Sequence, residues 1–328
     1  MLENHKYNEI NATIIADSKD VRGNRITTFV ITFPRIVLAE FNTHRMLSRN
    51  SASSRAIPFK KMLEKVQNDP FVPIRFQEDH KGMQGTKYLE GRNHDLAVSS
   101  WLRARTSVLE EAIMLNRNNK VTKQICNRLL EPWGWHTAIT TATEWENFYA
   151  LRHHPQAEIH IAKLAECMLD AANASTPVSL SQGEWHIPFG DDLEEALSLY
   201  YDDSNGNPDR YNEIAVKAAV EDSLIKVATA RCARVSYMNF DGTNDFEADI
   251  KLHDRLASMG HWSPFEHCAR AMDSEEYYIL DEEDLNNCSY AADRIESLDG
   301  WSGNFRGFTQ YRKMFIGENK KDSRLIKK

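Results

Sequence analysis

No stretch of this 328-residue chain approaches the roughly 20 consecutive apolar residues that a membrane-crossing helix needs. Nor does the N-terminal segment MLENHKYNEI carry a basic patch followed by an apolar run, so no signal peptide is expected. Cysteine is sparse: Cys126, Cys167, Cys232, Cys268 and Cys288 lie far apart with no CxxC pair. An odd, dispersed set argues against a disulfide framework or a zinc site and suits reduced thiols in a cytoplasmic protein. Simple tandem repeats and low-complexity tracts are lacking as well. So is any surplus of positive charge, because 40 Lys+Arg against 48 Asp+Glu leave a net charge of -8. That balance disfavours broad binding to nucleic acid or membrane surfaces.

What the chain does have is the mix of a soluble globular protein, 41% hydrophobic and 27% charged. Its length suffices for one large domain or two ordinary ones. Positive charge is gathered locally. From Phe41 to Leu63 the chain carries Arg45, Arg49, Arg55, Lys60 and Lys61 with no acidic residue, and Glu40 and Glu64 bracket the segment. A local basic pocket of that kind suits a small anionic ligand.

Residues 26–39, ITTFVITFPRIVLA, are rich in β-branched and aromatic side chains and predict strands, with a break at Pro34. Residues 40–58 follow as a polar Ser/Arg/Asn-rich stretch. Helical spacing of Val98, Trp101, Leu102, Val108, Leu109, Ala112 and Ile113 predicts a helix over 95–116. Residues 136–143 predict a strand, and Thr143-Glu144-Trp145-Glu146 fits a capping box opening a helix that runs to Arg152. Pro155 suits the first turn of a further helix whose face is Ile161, Leu164, Ala165, Met168 and Leu169. Residues 201–208, YDDSNGNP, predict a linker between an N-terminal part, 1–200, and a C-terminal part, 209–328. Helices are predicted over 209–230 and about 247–259, the latter stopped by Gly260. The charged tail DSRLIKK is expected to fray.

Three segments carry candidate chemistry. The first is Thr43-His44-Arg45-Met46-Leu47-Ser48-Arg49-Asn50-Ser51-Ala52-Ser53-Ser54-Arg55. Its arginines offer forked donors to phosphates, and its hydroxyls and amides offer further ones. By composition alone it fits equally a solvated Ser/Arg loop or a kinase target at Ser48. The second contains Arg128 to Pro132, then Asn147 to Arg152, then His154 to Glu158. Taken alone, Arg152 fits a helix-end cation that compensates the dipole. The third joins Arg231-Cys232-Ala233-Arg234-Val235-Ser236 to Gly260-His261-Trp262-Ser263-Pro264-Phe265-Glu266-His267. Its His, Glu and His fit neither HExxH nor HxxEH, so no metal is expected, and a structural turn around Phe265 is the plainer alternative.

Together the three segments resemble the flavin-dependent thymidylate synthases. That family's signature runs Arg-His-Arg, two residues, Ser, one residue, Asn, Glu or similar, one residue, Ser, one residue, Arg. His44, Arg45, Ser48, Asn50, Ser53 and Arg55 stand at matching places, while Thr43 replaces the first Arg and Ser51 the Glu. The third segment is similar to the family's Ala-Arg-Val-Ser and Gly-His-x-Thr/Ser-Pro-Phe-Glu-His block. The order differs, since the family places that block first and here it comes last, as in a circular permutation or a fused pair of related halves. Residues 66–95 and 176–205 match nothing in the family.

The resemblance implies an α+β fold, a mixed or antiparallel sheet with helices. It implies reductive methylation of dUMP to dTMP, with FAD as cofactor, 5,10-methylene tetrahydrofolate as carbon donor and NADPH as reductant. Ser53, Ser54, Arg55 and Arg128 would bind the nucleotide. Arg152 would lie beside the pyrimidine and stabilise charge developing on it, and His261 would lie near the reacting rings. His44, Arg45, Met46, Asn50, Thr141, Thr143, Asn147, His154, Ser236, Ser263 and Glu266 would line the flavin. Glu40 stands where the family has a Gln, and Gln310 and Arg312 are candidates to replace the missing groups. A homo-oligomer is implied, as family members are homotetramers. Because Thr43 and Ser51 depart from the signature, a related pyrimidine-nucleotide methyl- or hydroxymethyltransferase is the alternative. A non-enzymatic nucleic-acid-binding Ser/Arg protein is the rival from another class.

Overall fold

Residues 25–34, RITTFVITFP, are buried nearly throughout, and that is why their sequence lacks the alternation of a half-exposed strand. In the computed structural model they form β2 (Arg25–Pro34), the middle of a five-stranded sheet. The structure describes residues 2, 4–51, 53–82, 85–190, 194, 197, 198, 210–236, 245–274, 276 and 300–318, without side chains for 210–214 and 236. The predicted linker 201–208 and the tail lie outside these residues.

The sheet runs β3 (Ser48–Ser51), β4 (Trp135–Ala142), β2, β1 (Asn11–Lys19) and β5 (Val178–Ser179). All neighbours are antiparallel except β1 and β5, so the sheet is mixed and the fold is α+β. One face packs Phe29, Ile31 and Phe33 against Ile161, Leu164, Ala165 and Met168 of α6 (Ile159–Ala174) and Phe148 of α5 (Glu146–Arg152). The other face packs Ile15, Val30 and Ile139 against Cys232 and Val235 of α7 (Arg210–Ser236). A satellite cluster joins α2 (Phe59–Asn68), α3 (Gly91–Arg117) and α4 (Lys123–Leu130) through Met62, Val66, Leu109 and Leu130. No helix of the described residues is long and apolar enough to cross a membrane.

Several expectations need correction. The break expected at Pro34 is where the strand ends, but no second strand follows it: 35–42 continues as a short 3-10 turn and then α1 (Leu38–Asn42). Residues 48–51 belong to an edge strand, although the polar stretch 40–58 suggested a loop. The capping box at Thr143 does not form. Helix α5 starts from Trp145 with no side-chain cap, and the Thr143 hydroxyl accepts instead from the Arg306 backbone N–H at 3.0 Å. Pro155 precedes α6, and Glu158 caps that helix by accepting from the His160 and Ile161 N–H groups at 2.8 and 3.1 Å.

The C-terminal part lies against the same sheet. Helix α8 (Phe246–Met259) is clamped to α7 by Asp249, which is 1% exposed and meets Arg231 at 3.2 Å and Arg234 at 2.8 Å. Gly260 ends α8 at φ 70°, with the His261 N–H returning to Leu256 O at 3.0 Å. This left-handed residue aims the following HWSPFEH segment back at the sheet. Replacing it with alanine puts a Cβ into that conformation at a cost of about 1 kcal/mol. Gly260→Ala is therefore expected to lower the free energy of chemical unfolding by about that amount, and an unchanged value would count against this account of the turn. After HWSPFEH come β7 (Ala269–Ala271) and, further on, the hairpin β8 (Trp301–Ser302) and β9 (Phe305–Arg306). Strand β10 (Phe308–Gln310) then pairs with β7, which pairs in turn with β6 (Trp185–His186).

Candidate active site

Edge strand β3 carries the first segment between two partners. At its start, the chain leaving α1 turns so that His44 is 7% exposed, with its ring edge-on to Phe148. Arg152, the last residue of α5, donates from Nε to His44 Nε2 at 2.8 Å and from Nη2 to the Thr43 hydroxyl at 3.1 Å. Glu40 meets Arg152 through its backbone oxygen at 3.5 Å. Burial, with Arg152 and Arg49 nearby, pushes His44 down to about 4, so the ring is neutral and its Nε2 is free to accept. Arg152 is half-buried and makes no ion pair among the described residues. Its side chain turns toward α1 rather than over the carbonyls ending its own helix, which a dipole-compensating cation would favour.

Further along β3 the third segment arrives. Asn50 donates from Nδ2 to the Cys232 carbonyl in α7 at 3.2 Å and accepts from the Ser263 hydroxyl at 3.2 Å. Glu266, three residues on, pairs with Arg312, whose Nε also donates to Glu318 at 2.6 Å. Arg49 links the two ends of the strand. Its Nη1 donates to His44 O at 2.8 Å; burial lowers its pKa below the ordinary guanidinium value, and nearby Glu266 partly offsets that. Gln310 donates to the Ser48 hydroxyl at 3.2 Å and to Asn304 Oδ1 at 2.7 Å, while Asn304 donates to Met46 O at 2.7 Å. Residues more than 200 positions apart therefore meet along four residues of strand.

The remaining candidates are placed as follows. Arg45, Met46, Asn147, His154 and His261 are exposed. Thr141 is fully buried, with its hydroxyl bonded to Thr28 at 2.7 Å and to His267 Nδ1 at 2.8 Å, so it anchors the HWSPFEH segment and presents nothing to a ligand. Thr143 is held by the Arg306 N–H. Ser236 ends α7, and its side chain lies outside the described residues. Past the end of β3, Ser53 and Arg55 are exposed, with 3.5 Å between Arg55 Nε and Ser53 Oγ. Ser54 is buried, and its carbonyl and that of Ile57 accept from Asn127 at 2.7 and 2.9 Å. Asn127 thereby sets this loop beside the exposed Arg128 of α4. Arg49 stood in the first segment without an assigned role, Asn304 and the Cys232 carbonyl were not site candidates, and Gln310 and Arg312 were candidates to replace the missing groups. Among the described residues no group of three His, Cys, Asp or Glu side chains is arranged to hold a metal ion.

No family model matches the chain, and no curated protein does. Similarity is found to solved structures. A UMP/dUMP methylase, PolB, from Streptomyces cacaoi bound with 5-Br UMP aligns at 20% identity over 50% of this chain and 88% of that one, with a TM-score of 0.41. Thymidylate synthase X from Helicobacter pylori, with FAD and dUMP, aligns at 16% identity over 45% of this chain and 67% of that one, with a TM-score of 0.31.

Proposed function

We propose that this chain is an enzyme that methylates a pyrimidine nucleotide at C5 with the help of a bound flavin, dUMP being the substrate that the signature residues favour. The observation that carries the reading is Arg152, a half-buried guanidinium fixed by His44 and Thr43 and without an ionic partner among the described residues. A fixed donor fork of this kind suits an oxygen on which charge develops, because it needs little reorganisation during reaction.

The contacts along β3 fit a flavin in this reading. Exposed Arg45, Met46 and Ser263 flank half-buried Asn50 and Glu266, a band of donors and acceptors contributed by both parts of the chain. These residues, with Asn147 and His154, would hold FAD, which supplies hydride and carbon-transfer chemistry when bound. Methylene tetrahydrofolate and NADPH are the co-substrates of the same proposal. Ser53, Arg55 and Arg128 would take the nucleotide phosphate, and His261 would stand near the rings. Residues 1–200 and 209–328 would then share one site rather than form two modules, in a cytoplasmic homo-oligomer.

The purified protein is expected to bind FAD stoichiometrically and to turn yellow on reconstitution. A colourless product with unchanged flavin fluorescence would overturn the reading. Thr43 favours a second substrate as an alternative. Its hydroxyl is committed to Glu40 O at 2.7 Å and to Arg152, where the family places a cation. Product analysis with dUMP and UMP side by side decides between them, and also between methyl and hydroxymethyl transfer. Gel shifts with DNA or RNA that weaken steeply with salt would instead support the nucleic-acid-binding rival.

A further inference from the structure

The turn between α1 and β3 exposes Arg45 and Met46 and buries His44 and Leu47 on either side of them. Its own backbone bond is long, the Leu47 N–H meeting His44 O at 3.4 Å. Side chains hold its carbonyls instead. Arg49 donates to His44 O at 2.8 Å, and Asn304 donates to Met46 O at 2.7 Å. The two exposed residues thus stand between carbonyls that are each pinned by a side chain.

Asn304 comes from the far end of the chain. It forms the two-residue loop of the β8–β9 hairpin together with Gly303, whose φ of 62° is left-handed. Phe305 and Phe308 anchor that hairpin, fully buried in a cluster with Ile26, Ala269 and Ala271. The Arg306 N–H, bonded to Thr143, ties it to the residue that follows β4. The orientation of the Asn304 amide is forced. A carbonyl can only accept, so Nδ2 faces Met46 O and Oδ1 faces Gln310. Gln310, 2% exposed, must then present Nε2, which donates to Oδ1 at 2.7 Å and to the Ser48 hydroxyl at 3.2 Å. Gln310 therefore spends its amide hydrogens inside the protein and backs strand β3 rather than facing a ligand.

We propose that Asn304, backed by Gln310, is a positioning residue that fixes the Met46 carbonyl and so presents Arg45 and Met46 to the cofactor. This role rests on the flavin reading above and adds to it that a residue with no ligand contact of its own sets cofactor affinity. A turn held in place beforehand leaves less to order on binding, so loss of the bond acts on affinity rather than on the chemical step.

The test is Asn304→Asp in the full-length chain, which keeps the shape and the acceptor for Gln310 but removes the donor to Met46 O. FAD titrated by its fluorescence is expected to bind about tenfold more weakly. Release of the C5 hydrogen from dUMP at saturating FAD should keep the wild-type kcat. Hydrogen exchange of the cofactor-free protein reads the turn directly. The Leu47 and Ser48 amides should exchange faster in the variant, while those of α3 and β4 keep their wild-type rates. A wild type that binds no FAD would overturn the flavin reading and this role with it. FAD binding by wild type, with unaltered affinity in the folded variant, would overturn the positioning role alone. So would a kcat that falls as far as the affinity, or faster exchange spread over α3 and β4.

Discussion

Arg152→Ala is expected to lower turnover about 10²–10³-fold while leaving the fold intact, the range typical for losing one fixed stabiliser of developing charge. The side chain makes three hydrogen bonds, to His44 Nε2, the Thr43 hydroxyl and Glu40 O. None of these partners carries a negative charge, because His44 is neutral and Glu40 contributes its carbonyl. The protein therefore orients the guanidinium without neutralising it. A cation serving only the helix dipole would be worth about 0.3–1 kcal/mol of stability and nothing in turnover. Release of the C5 hydrogen from dUMP, measured at saturating substrate in wild type and variant, separates the two roles. Equal rates would reduce Arg152 to a helix-end cation. Arg152→Lys refines the test, since it keeps the charge but loses the fork that engages His44 and Thr43 together, and should recover only part of the rate.

The parts of the fold that were legible in sequence are those whose own pattern specifies them. The helix over 95–116 appears as α3 and the strand over 136–143 as β4, because apolar periodicity and β-branching are local signals. The helix stop at Gly260 was legible for the same reason. Strand β3 was not. Ser48-Arg49-Asn50-Ser51 has no apolar alternation, and its extended form comes from pairing with β4, Ser48 opposite Thr141 and Ser51 opposite Ala138. Thr143 failed as a cap because a backbone N–H 163 residues later takes its hydroxyl. Strands of two or three residues, such as β6 and β7, are too short to carry a period of their own.

The site divides in the same way. Asn50 and Ser263 were candidates through resemblance to a family, and no spacing rule connects positions 213 residues apart. The structure brings them together because Gly260 turns the chain and Asp249 fixes α8 to α7.

The protein is expected to lose stability steeply between pH 7 and pH 5, because three histidines are locked inside it uncharged. His186 and His267 are fully buried, His136 nearly so, and burial holds each down to about 3. Two of them belong to one buried chain of hydrogen bonds. Ser18 meets His186 Nδ1 at 2.9 Å, His186 Nε2 meets Thr28 at 2.8 Å, Thr28 meets Thr141 at 2.7 Å, and Thr141 meets His267 Nδ1 at 2.8 Å. A neutral imidazole can give a proton at one nitrogen and take one at the other, so His186 can serve both its neighbours. A protonated ring would bring a charge into a chain of neutral hydroxyls, and at His267 it would add a donor at Nε2, which has no partner. The unfolded chain has no such constraint and binds protons with a pKa near 6.5. Since the folded value is depressed, stability is fully present above pH 6.5 and falls as the pH drops toward 3, the unfolded state binding more protons over that window. At pH 5 the penalty is about 2 kcal/mol per histidine, and about 6 kcal/mol for the three, comparable with the whole stability of many domains. Thermal unfolding followed from pH 7 to pH 5 should therefore show the midpoint falling by roughly 10 °C or more. His267→Asn keeps a polar group near Thr141 but cannot titrate, so it should start from a lower midpoint at pH 7 and then lose less on acidification. A midpoint level across this range in wild type, or an identical slope in folded His267→Asn, would show that these rings accept protons without penalty and that the chain through Thr28 and Thr141 does not hold them neutral.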